Sequence, residues 1–249
     1  MSLLGAAYCI YNPSAFLFES VKRIYSFVDE IIFLINYKPW QGEGLREDLV
    51  STFNIATMVL DPDNKIKIVS RKWDTEAEQR NHGLKILKED GIEWCLIVDD
   101  DELFNRSELN NALEMISDPG KNAAFLIHHQ IYWKDRETII EGLFGSFPTL
   151  AMTNGLVSFN ENRMILVNKN YTWSPISADK IICHHMSYVR SDREMLRKIQ
   201  SSSHADTVTS NWYEEVWLSW NKDMTDFHPT TPQAFKKAIP ASESKYILK

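Results

Sequence analysis

Cysteine is scarce in this chain. Cys9, Cys95 and Cys183 are the three among 249 residues; two sit inside apolar runs and none belongs to a CxxC pair, a pattern of buried free thiols in a reducing compartment rather than disulfides. Long hydrophobic runs are missing too, with nothing near the ~18–20 apolar residues that cross a bilayer. No basic region precedes the apolar "LLGAAYCI" and no cleavage pattern follows it, so it reads as a first core strand and not as a signal peptide. A cytoplasmic protein is expected. Positive charge is not in excess: 27 Lys and Arg face 34 Asp and Glu, a formal net charge of −7, and composition gives a nucleic-acid-binding role no support. Repeats, low-complexity tracts and an obvious linker are absent as well.

What is present is ordinary for a soluble globular protein with a sizeable core, 44% hydrophobic and 24% charged residues. The first half alternates strand and helix. Leu3 to Ile10 is a buried-strand run, Asn12-Pro13-Ser14 turns into a helix ending near Ser26, and "EIIFLIN" (Glu30 to Asn36) is a second strand. A short helix over about Leu45 to Ala56, a turn at Asp61-Pro62-Asp63-Asn64 and the β-rich "KIKIV" follow. Thr75-x-x-Glu78 fits a capping box for a helix with Ala77, Leu84 and Leu87 on one face. Glu93 to Val98 is again an unbroken apolar strand, and Ser107 to Ile116 a helix. This order implies right-handed βαβ units in an open, mostly parallel sheet flanked by helices. From Ala123, strand-like runs joined by short turns predict a mixed or antiparallel part. Two helices follow, one after Ser191 and one over about Asn211 to Asn221. One domain over 1–249 is expected.

Four consecutive acidic residues, Asp99, Asp100, Asp101 and Glu102, directly follow the strand "WCLIV". Ligands of open α/β sheets bind outside the carboxyl ends of the strands, so this position is chemically loaded. Asp99-x-Asp101 is an Asp-x-Asp pair whose carboxylates can reach one hard cation, Mg²⁺ or Mn²⁺, which would then take diphosphate oxygens. Such an ion would also let an acidic protein handle an anionic substrate. The bland alternative is a solvated turn before the next helix.

Asn12 after the first strand, "DEII" opening the second, "QRNHGL" and then "VDDDE" occur in the order seen in glycosyltransferases of family 2, and the chain resembles that family over roughly residues 3–116. The resemblance implies a GT-A fold, a nucleotide-diphosphate sugar donor and a divalent cation (Mn²⁺ or Mg²⁺). It implies a nucleotide-sugar site built from Asn12, Asn36, Arg80, Asn81, Asp99, Asp100 and Arg190, and a metal on Asp99 and Asp101. Residues 1–116 would form the nucleotide-sugar and metal half, and residues 117–249 the acceptor-side half with the C-terminal helices. The chain departs from the family after the second strand. Asn36 stands where an Asp that reads the base is expected, with Tyr37 or Trp40 available to stack on that base.

"CHHMSYVRSDREMLRKI" carries Ser191-x-x-Glu194, a second capping box, with Arg190, Arg193 and Arg197 roughly on one helix face. His184 and His185 cannot both point inward from a strand; the resemblance assigns His184 as a further metal ligand, with His185 as the alternative. Arg190 or Lys198 would neutralise a departing diphosphate. The aromatics of "HHQIYW" and "NWYEEVWLSW" suit an acceptor groove, although Trp212, Val216 and Trp220 at helical spacing read first as core. A general base for the acceptor hydroxyl stays open among Asp135, Glu137, Glu141, Asp179, Glu214 and Glu215.

The expected function is transfer of a sugar to a hydroxyl of a glycan or lipid-linked acceptor, with peripheral membrane contact left open in the second case. The rivals are a nucleotidyltransferase or related phosphoryl-transfer enzyme, disfavoured because "YNPSAF" is no Gly-rich phosphate loop, and a non-catalytic carbohydrate-binding protein on a degenerate transferase scaffold.

Overall fold

Runs of apolar residues too long to face water on either side set the centre of the molecule. The computed structural model describes residues 2–41 and 61–249; the helix expected over 45–56 lies outside them. β1 (Leu4–Ile10), β2 (Glu30–Asn36), β3 (Ile66–Arg71) and β4 (Trp94–Val98) pair in parallel in the order β3-β2-β1-β4. β1, β2 and β4 are buried almost throughout, as a sheet covered on both faces requires.

Helices supply the cover. Leu17, Val21 and Ile24 of α1 (Leu17–Ile24) and Leu109, Ala112 and Ile116 of α3 (Arg106–Ser117) pack on one face. Ala77, Leu84 and Leu87 of α2 (Glu76–Glu89) pack on the other. The α2 capping box forms as the Thr75/Glu78 spacing predicts, and Gly83 explains a poor helix former in mid-helix. A Cβ there would come within 2.9 Å of Leu34 and 3.1 Å of Ala7, so only glycine lets α2 sit this close to β1 and β2.

Beyond β4 the sheet becomes mixed. β8 (Phe144–Met152) runs antiparallel to β4, and β6 (Asn122–Trp133) antiparallel to β8. The long β6 carries two parallel partners along its length, β11 (Thr172–Pro175) and β12 (Cys183–Tyr188). The short β5 (Glu102–Phe104) pairs antiparallel with β12. β7 (Thr138–Ile140) and β13 (Ala238–Pro240) extend the far edge, while β9 (Val157–Glu161) and β10 (Met164–Val167) form a separate hairpin whose Val157 and Phe159 join the α2 core.

Downstream of β12, α4 (Asp192–Ser201) opens with the Ser191/Glu194 capping box. The helix expected over 211–221 is instead a short π-helix, Tyr213–Leu218. Its wider turn brings Trp217 inward beside the expected tryptophans. Trp212, Trp217 and Trp220 all reach Trp133, with ring centroids 6.3, 5.3 and 6.2 Å away. Trp220, expected as core at 3.6-residue spacing, is half-buried and packs on this cluster.

Candidate active site

A cavity of about 410 Å³ opens at the carboxyl ends of β1 and β4, where a doubly wound sheet leaves a crevice. One end is lined by Tyr11, Asn12, Trp40, Arg80 and the Asp99–Asp101 triplet. The other is lined by Phe144, Phe147, Tyr188 and His228. Phe144 stacks nearly parallel to Phe147 and to His228, at 18° and 17° with both centroid distances 6.0 Å. A charged end therefore faces an aromatic end.

The acidic cluster is held by the protein's own cations. Asp99 accepts from Arg80 Nη2 at 2.8 and 3.1 Å and from Arg163 Nη1 at 3.3 Å. Burial opposes ionisation of Asp99, but Arg80 and Arg163 outweigh it and hold the carboxyl below its ordinary value. Glu102 is fully buried, pairs with both terminal nitrogens of Arg163 and accepts from the Asp99 backbone N–H at 3.1 Å. Asp100 accepts from the Ser14 backbone N–H, and the Ser14 hydroxyl donates to the Asp100 carbonyl at 2.8 Å, tying the loop after β1 to the cluster. Burial, with the adjacent Asp101 charge, pushes the Asp100 carboxyl up to about 7.

Asp101 uses its two oxygens differently. Oδ2 accepts from Arg190 Nη2 at 2.7 Å and Lys198 Nζ at 3.1 Å, while Oδ1 lies 3.2 Å from His185 Nε2. Burial would raise this carboxyl; Lys198, His185 and Arg190 together keep it well below the carboxylate range. Antiparallel register explains the histidine. His185 is paired with Glu102 and His184 with Leu103, and side chains alternate across a strand. His185 lines the cavity. His184 points to the opposite side, with Nδ1 3.1 Å from the Tyr132 hydroxyl and Nε2 3.3 Å from Asn105 Nδ2. Burial pushes its pKa down to about 3, so it is a neutral core histidine. The geometry thus brings the alternative, His185, to the acidic cluster in place of His184.

Several expected residues are brought together: Asn12, Arg80, Asp99, Asp100, Asp101, Arg190 and Lys198 all line the cavity, as does Trp40. Others are engaged elsewhere. Asn36 is fully buried, donating from Nδ2 to the Trp73 carbonyl at 2.9 Å and accepting from the Trp73 N–H at 3.1 Å, so its amide has no edge left for a base. Asn81 makes the same two-way bond with the Phe159 backbone, at 2.7 and 2.8 Å, and pins the β9–β10 hairpin to α2. Tyr37 is exposed, with its hydroxyl on the Ser70 carbonyl. Asp135, Glu137, Glu141, Asp179, Glu214 and Glu215 all lie outside the cavity walls; Asp179 pairs with Lys245. The cavity's remaining carboxylates, Glu76 and Glu194, are taken by Arg80 and by the Ser191 cap.

Arg163 had no signal in the sequence. It sits in the β9–β10 turn, far from the triplet in the chain, and reaches it only because the hairpin folds back over α2.

Asp99, Asp101 and His185 all line the cavity and are of the oxygen and nitrogen donor types that Mn²⁺ or Mg²⁺ accept. Both oxygens of Asp99 are held by Arg80 and Arg163, and those of Asp101 by Arg190, Lys198 and His185, so a cation there would have to displace these partners. A second group, Glu102, His129 and Cys183, has ligand-type atoms within 4.8 Å of one another. Arg163 already holds Glu102, and burial keeps the Cys183 thiol protonated, so this group reads as packed core.

The profile of glycosyl transferase family 2 matches residues 9–174. No curated protein matches. Among solved structures, S. aureus TarS 1-349 is similar at 18% identity and TM-score 0.46, over 74% of this chain and 60% of that one. The 4-diphosphocytidyl-2C-methyl-D-erythritol synthase of Anaerococcus prevotii DSM 20548 is similar at 13% identity and TM-score 0.44, over 79% and 94%. The chain therefore spans less than two thirds of the TarS fragment. Among the described residues no helix is long and apolar enough to cross a membrane. With the family match covering more than half of its length and the mixed sheet of a GT-A fold around the acidic cluster, the chain belongs to glycosyl transferase family 2.

Proposed function

We propose that the cavity binds a nucleotide-diphosphate sugar at its charged end and transfers the sugar to a hydroxyl of a glycan or lipid-linked acceptor entering from its aromatic end. The observation that carries this reading is the placement of Arg190 and Lys198 on one oxygen of Asp101. Both cations lie at the cavity wall and can exchange a carboxylate oxygen for a diphosphate oxygen without leaving the site. Charge-assisted bonds of this type stabilise the negative charge that builds on a departing diphosphate. A bound Mn²⁺ or Mg²⁺, held by Asp99, Asp101 and His185, would supply further neutralisation of that charge. Trp40, whose Nε1 donates to Gln79 at 2.8 Å, and Tyr11 and Asn12 line the part of the cavity next to Arg80 and would bind the nucleoside.

The test is thermal unfolding of wild type and Asp101→Asn against a panel of nucleoside diphosphates, with and without Mn²⁺. Binding at ~100-fold over Kd stabilises the native state by about 2.7 kcal/mol, which in a chain of this size raises the midpoint by roughly 5–10 °C. One nucleotide should give that shift with Mn²⁺ in wild type and not in the variant. Absence of a shift with every nucleotide would overturn the reading. Product analysis separates the chemistry: a glycosyltransferase releases nucleoside diphosphate, whereas nucleotidyl transfer releases pyrophosphate.

A further inference from the structure

A second cavity, about 590 Å³, adjoins the first. Ile199 of α4 and Val208 line both, so these two side chains form a shared wall. The chemistry changes abruptly across that wall. Five Arg and Lys side chains line the first cavity: Arg80, Arg163, Arg190, Arg197 and Lys198. Among the described residues none lines the second, whose charged residues are Asp206 and Glu214. The half-buried ring of Tyr213 stands there beside Gln200, Asp206 and Glu214. The side chains of those three polar residues form no hydrogen bond or ion pair with any described residue. A volume in the range of ~300–1,000 Å³ accommodates a small-molecule-sized ligand.

A pyranose has an apolar C–H face and a rim of hydroxyls that both donate and accept. An aromatic ring covers the first, and uncommitted amides and carboxylates bind the second. Two carboxylates in a lining that holds no Arg or Lys among the described residues repel an anionic ligand. We infer that the second cavity holds the uncharged sugars that precede the accepting residue, so that the acceptor is a neutral oligosaccharide crossing Ile199 and Val208 between the two cavities. This rests on the donor-site reading above, because it takes the first cavity as the place of transfer.

The experiment measures binding of uncharged tetrasaccharides of glucose, galactose, mannose and N-acetylglucosamine, and of tetragalacturonate, by saturation-transfer NMR and calorimetry. The proteins are wild type, Tyr213→Ala and Asp206→Lys/Glu214→Lys. The nucleoside diphosphate shift is recorded on the same samples. At least one neutral tetrasaccharide should bind wild type and tetragalacturonate should not. Tyr213→Ala should weaken that binding at least tenfold, and the double variant, altered only at exposed positions, should gain affinity for tetragalacturonate. All three proteins should keep the nucleotide shift. If no neutral tetrasaccharide binds, if Tyr213→Ala binds it as wild type does, if tetragalacturonate binds wild type, or if the double variant gains no affinity for it, the inference fails while an intact nucleotide shift leaves the donor site standing. Loss of that shift in wild type would instead overturn the donor-site reading.

Discussion

Around Asp99 to Glu102 the protein sets buried carboxylates against Arg80, Arg163, Arg190 and Lys198, each with a defined partner. Around Trp133 it packs Trp212, Trp217, Phe227 and Phe235 with no ion pair among them. Both regions border one cavity, and they respond to damage differently. Removing a packed aromatic leaves a void. Removing one member of a buried ion network leaves another charged and desolvated. The charged region is therefore the better candidate for binding that depends on precise placement, and the aromatic region the better candidate for shape.

The sharpest way to break this comparison is Arg163→Met. It strips Glu102, which is fully buried, of its guanidinium, and breaking such a pair costs about 3–5 kcal/mol. Urea unfolding should show that loss as a lower midpoint with an unchanged slope. Adding Glu102→Gln should recover much of it, because the uncompensated charge is gone. A single variant as stable as wild type would mean that Glu102 does not depend on Arg163.

Trp133→Ala attacks the other region and should cost a similar ~3–5 kcal/mol, typical of a buried aromatic cut to alanine. Its consequence for binding should differ. Trp133 does not line the cavity, so at a temperature where the variant is still folded, the nucleoside diphosphate shift should match wild type, whereas in Arg163→Met it should shrink. Equal loss of the shift in both variants would erase the distinction between the regions.

How far these regions were legible in the sequence follows the same division. The parallel strands and both capping boxes are local: an unbroken apolar run or a Thr75/Glu78 pair carries its own instruction. The acidic cluster was legible because four like charges after a buried strand demand compensation. What compensates them was only half visible. Arg80, Arg190 and Lys198 stood in motifs, but Arg163 arrives by way of a hairpin. The choice between His184 and His185 needed the β5–β12 register, a non-local pairing no spacing rule contains. Asn36 and Asn81 look alike in sequence to ligand-binding amides, and both are taken up by backbone groups of distant segments. Helical spacing found Trp212, Val216 and Trp220 but missed Trp217, which a π-turn brings into the same cluster.

A smaller effect distinguishes the regions by pH. His228, in the aromatic wall, is driven down to about 4 by burial and by His204. Between that value and the ordinary ~6.5 the unfolded chain binds the proton and the folded chain does not, so acidification through this window removes stability at up to about 1.4 kcal/mol per pH unit. Above ~6.5 the group contributes nothing. Asp100, raised to about 7, acts with the opposite sign, favouring the folded state as pH falls from 7 toward its unfolded value near ~4. Measured against wild type, His228→Gln should therefore gain relative stability from pH 6 to pH 4.5, and Asp100→Asn should not. Parallel stability–pH curves for wild type and His228→Gln would show that the imidazole is not held neutral.

The finest test acts on the one helix that both regions share. α4 presents Lys198 to Asp101 and Met195 and Ile199 to the aromatic part of the cavity, and Arg190 precedes its first turn. Ser191 caps it, its hydroxyl accepting from the Glu194 N–H while the Glu194 carboxylate accepts from the Ser191 N–H at 2.9 Å. Ser191→Ala should cost only ~1 kcal/mol of stability. Fraying is confined to the first turn, however, and that turn adjoins Arg190, whereas Ile199 lies near the other end. The variant should thus lose nucleoside diphosphate affinity beyond what its small stability loss explains, while neutral-oligosaccharide binding at the Ile199 end stays as in wild type. Comparable losses at both ends would mean that α4 moves as one rigid body and couples the charged region to the aromatic one.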